Sequence, residues 1–354
     1  WCIGLIGMAI KYAEALLAVR YRTTDKNGEM CGGPMHFIEK GLGSRFLAVC
    51  FALFGVCAAM GGGNMIQANS VADVMESSLS IAPWLTGVVL AAGTALTLAG
   101  GIKGIGKVAS YLVPFMAILY LTGGITVLVL KADLIPAAFG MILSAAFKGQ
   151  AAVGGFAGAS VWAAIRLGLS RGLSSSEAGL GTASIAAAAA KTDYPGRQAL
   201  VSMSGAFIST IVMCTITGLV IAVAGVLGAQ KANGAVLDGA SLTVAAFNSI
   251  LPGSGWVVTI GLVFFAFSTI LGWGYYGEKC MEYLFHERSI PYYRILFSLM
   301  VIPGATWDLD LVWRIADVTN ALMAIPNLLG VLFLSRLVYT ETRQFETILK
   351  KEGR

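Results

Sequence analysis

Long apolar runs separated by short charged connections make up most of the chain. A membrane-spanning helix needs about 20 mostly apolar residues, and nine stretches are candidates. They are 1–19, 46–75, 84–101, 108–130, 151–169, 199–227, 241–273, 292–303 and 311–338. A further apolar stretch, 134–148, is shorter and is compatible with a helix on the membrane surface. The pattern predicts an all-α integral membrane protein.

The composition supports this class and argues against a soluble all-α protein. Of the 354 residues, 57% are hydrophobic and only 12% are charged, whereas soluble domains carry about 25% charged residues. The 44 glycines are also typical of membrane helices, because glycine lets two backbones approach closely. We therefore expect the lipid bilayer to be the surrounding medium, in the cell membrane.

Charge and cysteine spacing exclude several other classes. The net charge of +5 comes from Lys and Arg residues that lie between the apolar runs, so we predict no nucleic-acid partner. The six cysteines and two histidines show no metal or redox spacing. The sequence therefore predicts no cofactor and no enzymatic activity.

The basic residues alternate from one connection to the next. They concentrate in 20–45, 103–107, 191–197, 286–294 and 343–354. The intervening connections are poor in basic residues, with Lys131 and Lys148 as a partial exception. By the positive-inside rule, the first connection, Lys103, Arg197, Arg288 and the C-terminal tail are predicted to be cytoplasmic.

A first candidate site lies at residues 61–70, where three glycines precede Asn64 and Gln67. The two amides are three residues apart and share a helix face. Each amide can donate and accept hydrogen bonds, which suits a zwitterionic substrate. The alternative is that the glycines allow close packing and the amides form hydrogen bonds between helices; the residues alone leave both open.

A second candidate lies at residues 170–182. Ser174, Ser175 and Ser176 with Glu177 have the composition of a helix N-cap and first turn, ahead of an Ala-rich helix. A helix that starts at membrane depth presents free N–H groups to a carboxylate. The alternative is an ordinary connection at the membrane surface.

A third candidate lies at residues 264–278. Ser268 and Thr269 are adjacent hydroxyls in an apolar helix, and they would either bond to their own backbone or coordinate an alkali cation. Trp273 follows Thr269 by four residues and could form one wall of a small pocket. Among charges in apolar runs, Lys11 and Glu14 are spaced to pair with each other, while Arg166 and Asp317 need partners.

These segments together resemble the alanine/glycine:cation symporter family, also called the sodium:alanine symporter family. The resemblance runs in order along the chain. It is carried by YAEALLAV at 12–19, GEM at 28–30, GGPM at 32–35, GNMIQANS at 63–70, SRGL at 170–173, EAGLG at 177–181 and STILGW at 268–273.

The resemblance implies a fold like that of the sodium-coupled leucine transporter, with two inverted five-helix repeats. Residues 1–354 would form a single transporter domain. Residues 1–131 would be the rest of the first repeat, 132–338 the second, and 339–354 a cytoplasmic tail. Because the chain starts at Trp1 within an apolar run, we expect the first core helix to lie upstream.

The resemblance also implies symport of alanine or glycine with Na⁺ as the coupling ion. Gly62 and Gln67 would contact the substrate, and Asn64 is a further substrate-binding candidate because of its amide. Thr269 and Trp273 would line its side-chain end, and Ser268 with Thr269 would bind sodium. Ser174 is a further candidate, although it stands where the family has an aromatic residue.

The runner-up hypothesis is a proton-coupled or other cation-coupled amino-acid carrier of the same fold. A channel would be expected to show a continuous polar stripe along one helix, and a membrane enzyme a cluster of His, Asp or Cys at depth. The sequence shows neither.

Overall fold

The computed structural model describes residues 1–25, 28–148, 161–230, 234 and 236–352, and these residues are almost entirely helical. Two short strands, β1 (Thr23–Thr24) and β2 (Met30–Cys31), pair antiparallel. The helices are α1 Cys2–Arg20, α2 Pro34–Leu42, α3 Arg45–Leu79, α4 Pro83–Ala99, α5 Gly101–Leu130, α6 Ile135–Lys148, α7 Val161–Ser176, α8 Thr182–Ala188, α9 Pro195–Ala224, α10 Gly239–Ile250, α11 Gly255–Phe285, α12 Ile290–Thr306, α13 Leu309–Phe333 and α14 Ser335–Lys351.

The prediction of an all-α membrane protein is confirmed. Within the described residues, six helices are long and apolar enough to cross a membrane: α1, α3, α5, α9, α11 and α13. Large apolar side chains lie exposed on these helices and on α4, as at Phe46, Leu96 and Tyr111. Such faces are costly in water and are stable against lipid tails.

Several predicted boundaries are wrong. The single span predicted at 241–273 is two helices, α10 and α11, separated by a turn that contains Pro252 and Gly253. The last predicted span ends at Phe333, and the segment expected to be a tail continues as helix α14. The candidate span 151–169 lies largely outside the described residues, and α7 continues beyond its end to Ser176.

Helices α3, α11, α12 and α13 form the buried centre of the molecule, and small residues allow their close approach. A Cβ on Gly304 of α12 would lie 2.6 Å from the Cα of Met65 on α3. A Cβ on Gly63 of α3 would overlap the indole of Trp273 on α11. Only glycine fits at these two crossings, so these glycines serve interhelical packing.

Ion pairs join the segments at one end of the molecule. Arg20 contacts Glu341 on α14 at 2.9 Å, and Arg197 contacts Glu352. Arg294 makes a two-pronged contact with Glu278 at 2.7 and 2.9 Å. The connections predicted to share one side of the membrane therefore do lie together.

Candidate functional site

The glycine-rich segment of α3 is a widened helical turn. Residues Ala59–Met65 form a π-helix. Such segments are rare in proteins overall, and those that occur are frequently found at functional sites. The glycines lie against two neighbouring helices. Gly63 faces Trp273 on α11, and a Cβ on Gly62 would lie 3.3 Å from the amide of Asn320 on α13. Gly63 therefore meets Trp273 on α11, whereas Gly62 faces α13.

The two amides of this segment differ in their environment. Asn64 is fully buried, and its Nδ2 donates to the Phe297 carbonyl on α12 at 2.6 Å. This is the interhelical hydrogen bond that the alternative interpretation expects. Gln67 is half-buried, and its side chain makes no hydrogen bond with the described residues. The Gln67 amide is therefore free to bind a ligand, whereas that of Asn64 is committed to packing.

The hydroxyls of Ser268 and Thr269 both donate to the Phe265 carbonyl, at 2.9 and 2.8 Å. This geometry fits the backbone-bonded alternative. A hydroxyl that donates still has oxygen lone pairs available for a cation. The two residues lie about one turn before Trp273 on α11, and Trp273 itself meets Gly63 of the glycine-rich segment.

The helix break predicted near residue 177 is present. Helix α7 ends at Ser176 and α8 begins at Thr182, and the intervening residues Glu177, Gly179 and Gly181 have φ values of +53°, +86° and +78°. The proposed serine N-cap is wrong, because the serines belong to the end of α7. The hydroxyls of Ser174 and Ser176 donate back to the carbonyls of Ser170 and Gly172 instead.

Side chains from α1 and α13 satisfy the buried backbone of this break. The amide N–H of Gly179 donates to Oε1 of Glu14 at 2.9 Å. Asn327 Nδ2 donates to the same oxygen and to the Gly179 carbonyl. The N–H groups that the sequence offered to a substrate carboxylate are thus partly occupied by the chain's own carboxylate.

Lys11 and Glu14 do not pair as the sequence suggested. The Lys11 ammonium donates to the Ser176 carbonyl at 2.7 Å and lies 4.0 Å from the Glu177 carboxylate. One turn of helix points the two α1 side chains at different parts of the break. Sequence spacing identified the two charges but not their partners, which are more than 160 residues away.

A cavity of about 370 Å³ opens beside the break, between α1, α8 and α9. Its wall includes the Lys11 ammonium, the Glu177 carboxylate, and the side chains of Gln198, Ser202 and Tyr276. Charges of both signs next to hydroxyl and amide groups are suited to a zwitterion. The ring of Tyr276 contacts that of Trp273, with centroids 5.8 Å apart, so the cavity wall is continuous with the Gly63 crossing.

Ser174, Arg166 and Asp317 do not line this cavity. The neighbours of Ser174, namely Ser175 and Ser176, line the cavity, but Ser174 itself does not. Asp317 on α13 finds the partner that its position requires: Arg171 on α7, at 2.8 Å. Arg166 is exposed.

Three side chains of the region were not predicted from the sequence: Tyr276, Asn320 and Asn327. The two asparagines are seven residues apart on an otherwise apolar stretch of α13, and that spacing places them on one helix face. This was a usable signal. Tyr276 gave none, because an aromatic residue at the end of an apolar helix usually serves packing or the membrane interface.

Asp25, Cys31 and Glu282 form a separate acidic cluster outside the cavity. Their ligand atoms lie within 4.8 Å of one another. The Lys279 ammonium contacts Glu282 at 2.8 Å and Asp25 at 3.4 Å, so a cationic side chain already offsets one of the two carboxylate charges. Burial raises the pKa of the Cys31 thiol to about 11, so the thiol is protonated beside these carboxylates. We therefore assign it to packing between the first connection and α11.

Buried helices, a break lined by opposite charges and an adjacent polar cavity are typical of a multi-pass membrane transporter. The sequence profile of the sodium:alanine symporter family matches residues 1–354, and the chain belongs to this family.

Named relatives support the assignment. The chain is 54% identical over 360 residues to the sodium/alanine symporter AgcS of Methanococcus maripaludis, covering 100% of this chain and 78% of that protein. It is 46% identical to an uncharacterized transporter of Haemophilus influenzae, covering 99% and 76%. It is also 32% identical to the putative sodium/proton-dependent alanine carrier protein YrbD of Bacillus subtilis, covering 100% and 72%.

Proposed function

We propose that the protein carries out sodium-coupled symport of a small neutral amino acid, alanine or glycine, into the cell. The observation that carries this proposal is the family match over residues 1–354, together with the relative named as a sodium/alanine symporter. Proton coupling is the second candidate, because another relative is named as a sodium/proton-dependent carrier.

The described residues are compatible with a small zwitterionic substrate. Trp273 is 5% exposed and packs against Gly63 and Tyr276, so it leaves little space beside the glycine-rich turn. The unpaired Gln67 amide lies one turn further along α3. We assign substrate contact to Gly62, Gln67, Thr269 and Trp273. Asn64 and Ser174 are not included, because their side chains bond to the carbonyls of Phe297 and Ser170.

We assign the sodium ion to the oxygens of Ser268 and Thr269. Sodium is a hard cation and prefers oxygen ligands, as other hard cations do. The two hydroxyls alone are too few, so backbone carbonyls or the substrate carboxylate would complete the coordination. The two-repeat architecture, with divisions at 1–131 and 132–338, remains part of this proposal.

The test is uptake of labelled alanine by the full-length protein in proteoliposomes. A sodium gradient should drive accumulation, and replacing sodium with choline should abolish it. A proton gradient without sodium should drive none. Accumulation driven by protons alone would establish the second candidate instead.

The ion site is tested in the same assay with Ser268→Ala and a matched control, Ser249→Ala, on α10. Ser268→Ala should raise the sodium concentration for half-maximal uptake several-fold at saturating alanine. Ser249→Ala should leave it unchanged, because that hydroxyl bonds only to the Ala246 carbonyl. An unchanged sodium requirement in Ser268→Ala would remove Ser268 from the ion site.

A further inference from the structure

Two buried oxygen atoms beside the helix break have no hydrogen-bond partner among the described residues. They are Oε2 of Glu14 and Oδ1 of Asn327. The side chains are 1% and 0% exposed, and both atoms are fully enclosed. Neither water nor another segment can therefore reach them without a rearrangement. An unpaired buried acceptor carries its whole desolvation cost, and that cost is larger for an ionised carboxylate.

The unpaired atoms belong to the same two groups that already bond to each other. Nδ2 of Asn327 donates to Oε1 of Glu14 and to the Gly179 carbonyl. Exchanging the oxygen and nitrogen of the Asn327 amide gives no relief, because Oδ1 would then face two other acceptors. The orientation of this amide is therefore fixed, and its oxygen remains without a donor.

We propose that Glu14 binds a proton on Oε2 and that the resulting hydroxyl donates to Oδ1 of Asn327. One proton taken from the aqueous phase gives both unpaired oxygens a partner, and no bond between heavier atoms changes. Nδ2 still donates to Oε1, so the two groups pair as a carboxylic acid and a primary amide do. The pair is a proton-binding site that joins α1, the break and α13.

The electrostatic surroundings of Glu14 are compatible with a neutral carboxyl group. Lys11, one turn earlier on α1, is the charged group that acts on Glu14, and its ammonium is bonded to the Ser176 carbonyl and faces Glu177. Helix α8 carries no ionisable side chain. Several ionisable groups on α1 and on the elements packed against it contact partners other than Glu14: His36 and Glu39 with Tyr283, Arg171 with Asp317, Arg197 with Glu352 and Arg20 with Glu341.

Infrared spectroscopy of the full-length protein tests the site directly. A protonated carboxyl group has a carbonyl stretching band that ionised carboxylates lack. At neutral pH the wild type should show this band and Glu14→Gln should lose it. Glu346→Gln, at an exposed ion pair with Arg343, should keep it. Identical spectra for wild type and Glu14→Gln in this region would overturn the proposal.

Asn327→Leu gives a second infrared measurement. Because it removes the acceptor of the proposed hydroxyl, the Glu14 band should shift in this variant. An ionised Glu14 would show no such band in either protein, so an unshifted spectrum counts against the pair.

The pH dependence of stability provides an independent readout. Glutamine at position 14 can donate to Oδ1 and accept from Nδ2, so Glu14→Gln should fold. In the wild type, the folded state keeps a proton that the unfolded state releases. The protein therefore loses stability as the pH rises, by tenfold in the folding equilibrium constant per pH unit. From about pH 5 to about pH 8, the melting temperature of Glu14→Gln should therefore rise relative to that of the wild type. A constant difference would contradict the proposal. None of these measurements involves transport, so they remain valid if the proposed symport fails.

Discussion

At the scale of single residues, the absence of a side chain at position 63 determines how α3 and α11 meet. The indole of Trp273 occupies the space that a Cβ on Gly63 would need. Gly62 lies one residue earlier, and a Cβ there would lie 3.3 Å from the Asn320 amide, a flexible neighbour. The two glycines look equivalent in the sequence, but only one of them is sterically obligatory.

Gly63→Ala is therefore predicted to destabilise the protein by about 1–3 kcal/mol or more, because overpacking displaces the Trp273 ring. Gly62→Ala is the control and should cost much less. Thermal unfolding in detergent, followed by tryptophan fluorescence, measures both. Equal melting temperatures for the two variants would show that the ring moves aside without strain.

The two amides of the same segment give a second residue-scale prediction. Asn64→Ala removes a buried hydrogen bond to the Phe297 carbonyl and should lower the melting temperature, with substrate affinity in the surviving protein nearly normal. Gln67→Ala removes an unpaired amide and should instead affect substrate binding and leave stability nearly unchanged. Loss of a substrate hydrogen bond should weaken alanine binding by about 1–3 kcal/mol, with little change in melting. A loss of stability in Gln67→Ala at unchanged affinity would make Gln67 a packing residue.

Sequence patterns located the segments of the candidate site, but they did not predict which partner each side chain in those segments contacts. The glycine run, the break near residue 177 and the hydroxyl pair before Trp273 were all recognised from polar residues in apolar runs. The division between Asn64 and Gln67 was not predictable, because it depends on which helix faces each amide. The partners of Glu14 were equally inaccessible, since Gly179 and Asn327 are far away in the chain.

At the scale of elements, the short helix α2 follows the first membrane helix in the chain and packs against the end of α11. His36 lies in α2, and its ring meets the ring of Tyr283 edge-on, with centroids 5.6 Å apart. Burial lowers the pKa of His36 to about 4, and the positive charge of Lys40 acts in the same direction. The neutral imidazole therefore packs well, whereas an imidazolium would not.

This pKa predicts a loss of stability in acid. Between pH 6.5 and about 4 the unfolded chain binds a proton at His36 that the folded chain does not. The contribution of the neutral His36 to the free energy of unfolding is thus fully present above pH 6.5. It is lost as the pH falls towards 4, by up to about 3 kcal/mol. Melting temperature against pH measures it, with His36→Gln as the comparison. If His36→Gln shows the same acid dependence as the wild type, His36 is not its source.

Helix boundaries were the weakest part of the sequence prediction at this scale. The turn between α10 and α11 was hidden because apolar residues continue through Leu251 to Val258, so hydropathy gave no interruption. Pro252 and Gly253 were the available signal. The length of α14 was missed for the opposite reason: it is amphipathic and charged, which a search for apolar spans passes over.

At the scale of the whole molecule, the described segments separate into two ends. One end gathers the first connection, the start of α9, the end of α11 and helix α14 through pairs such as Arg20 with Glu341 and Lys279 with Asp25. At the other end, Asn69 donates to the Trp307 carbonyl at 2.8 Å, and Asp73 accepts from Ser241. Basic residues concentrate at the first end, so the alternation in the sequence and the three-dimensional grouping agree.

The membrane orientation is the last prediction, because grouping alone does not say which end faces the cytoplasm. The positive-inside rule assigns the basic end to the cytoplasm. In a cysteine-free background, Lys103→Cys and Arg288→Cys, both exposed at that end, should resist an impermeant thiol reagent added to intact cells and react after permeabilisation. Asp310→Cys, exposed near the start of α13 at the opposite end, should react without permeabilisation and serves as the matched control.

The three positions carry charged side chains in solvent, so substitution should perturb packing little. Labelling of Lys103→Cys and Arg288→Cys in intact cells, with protection of Asp310→Cys, would invert the orientation.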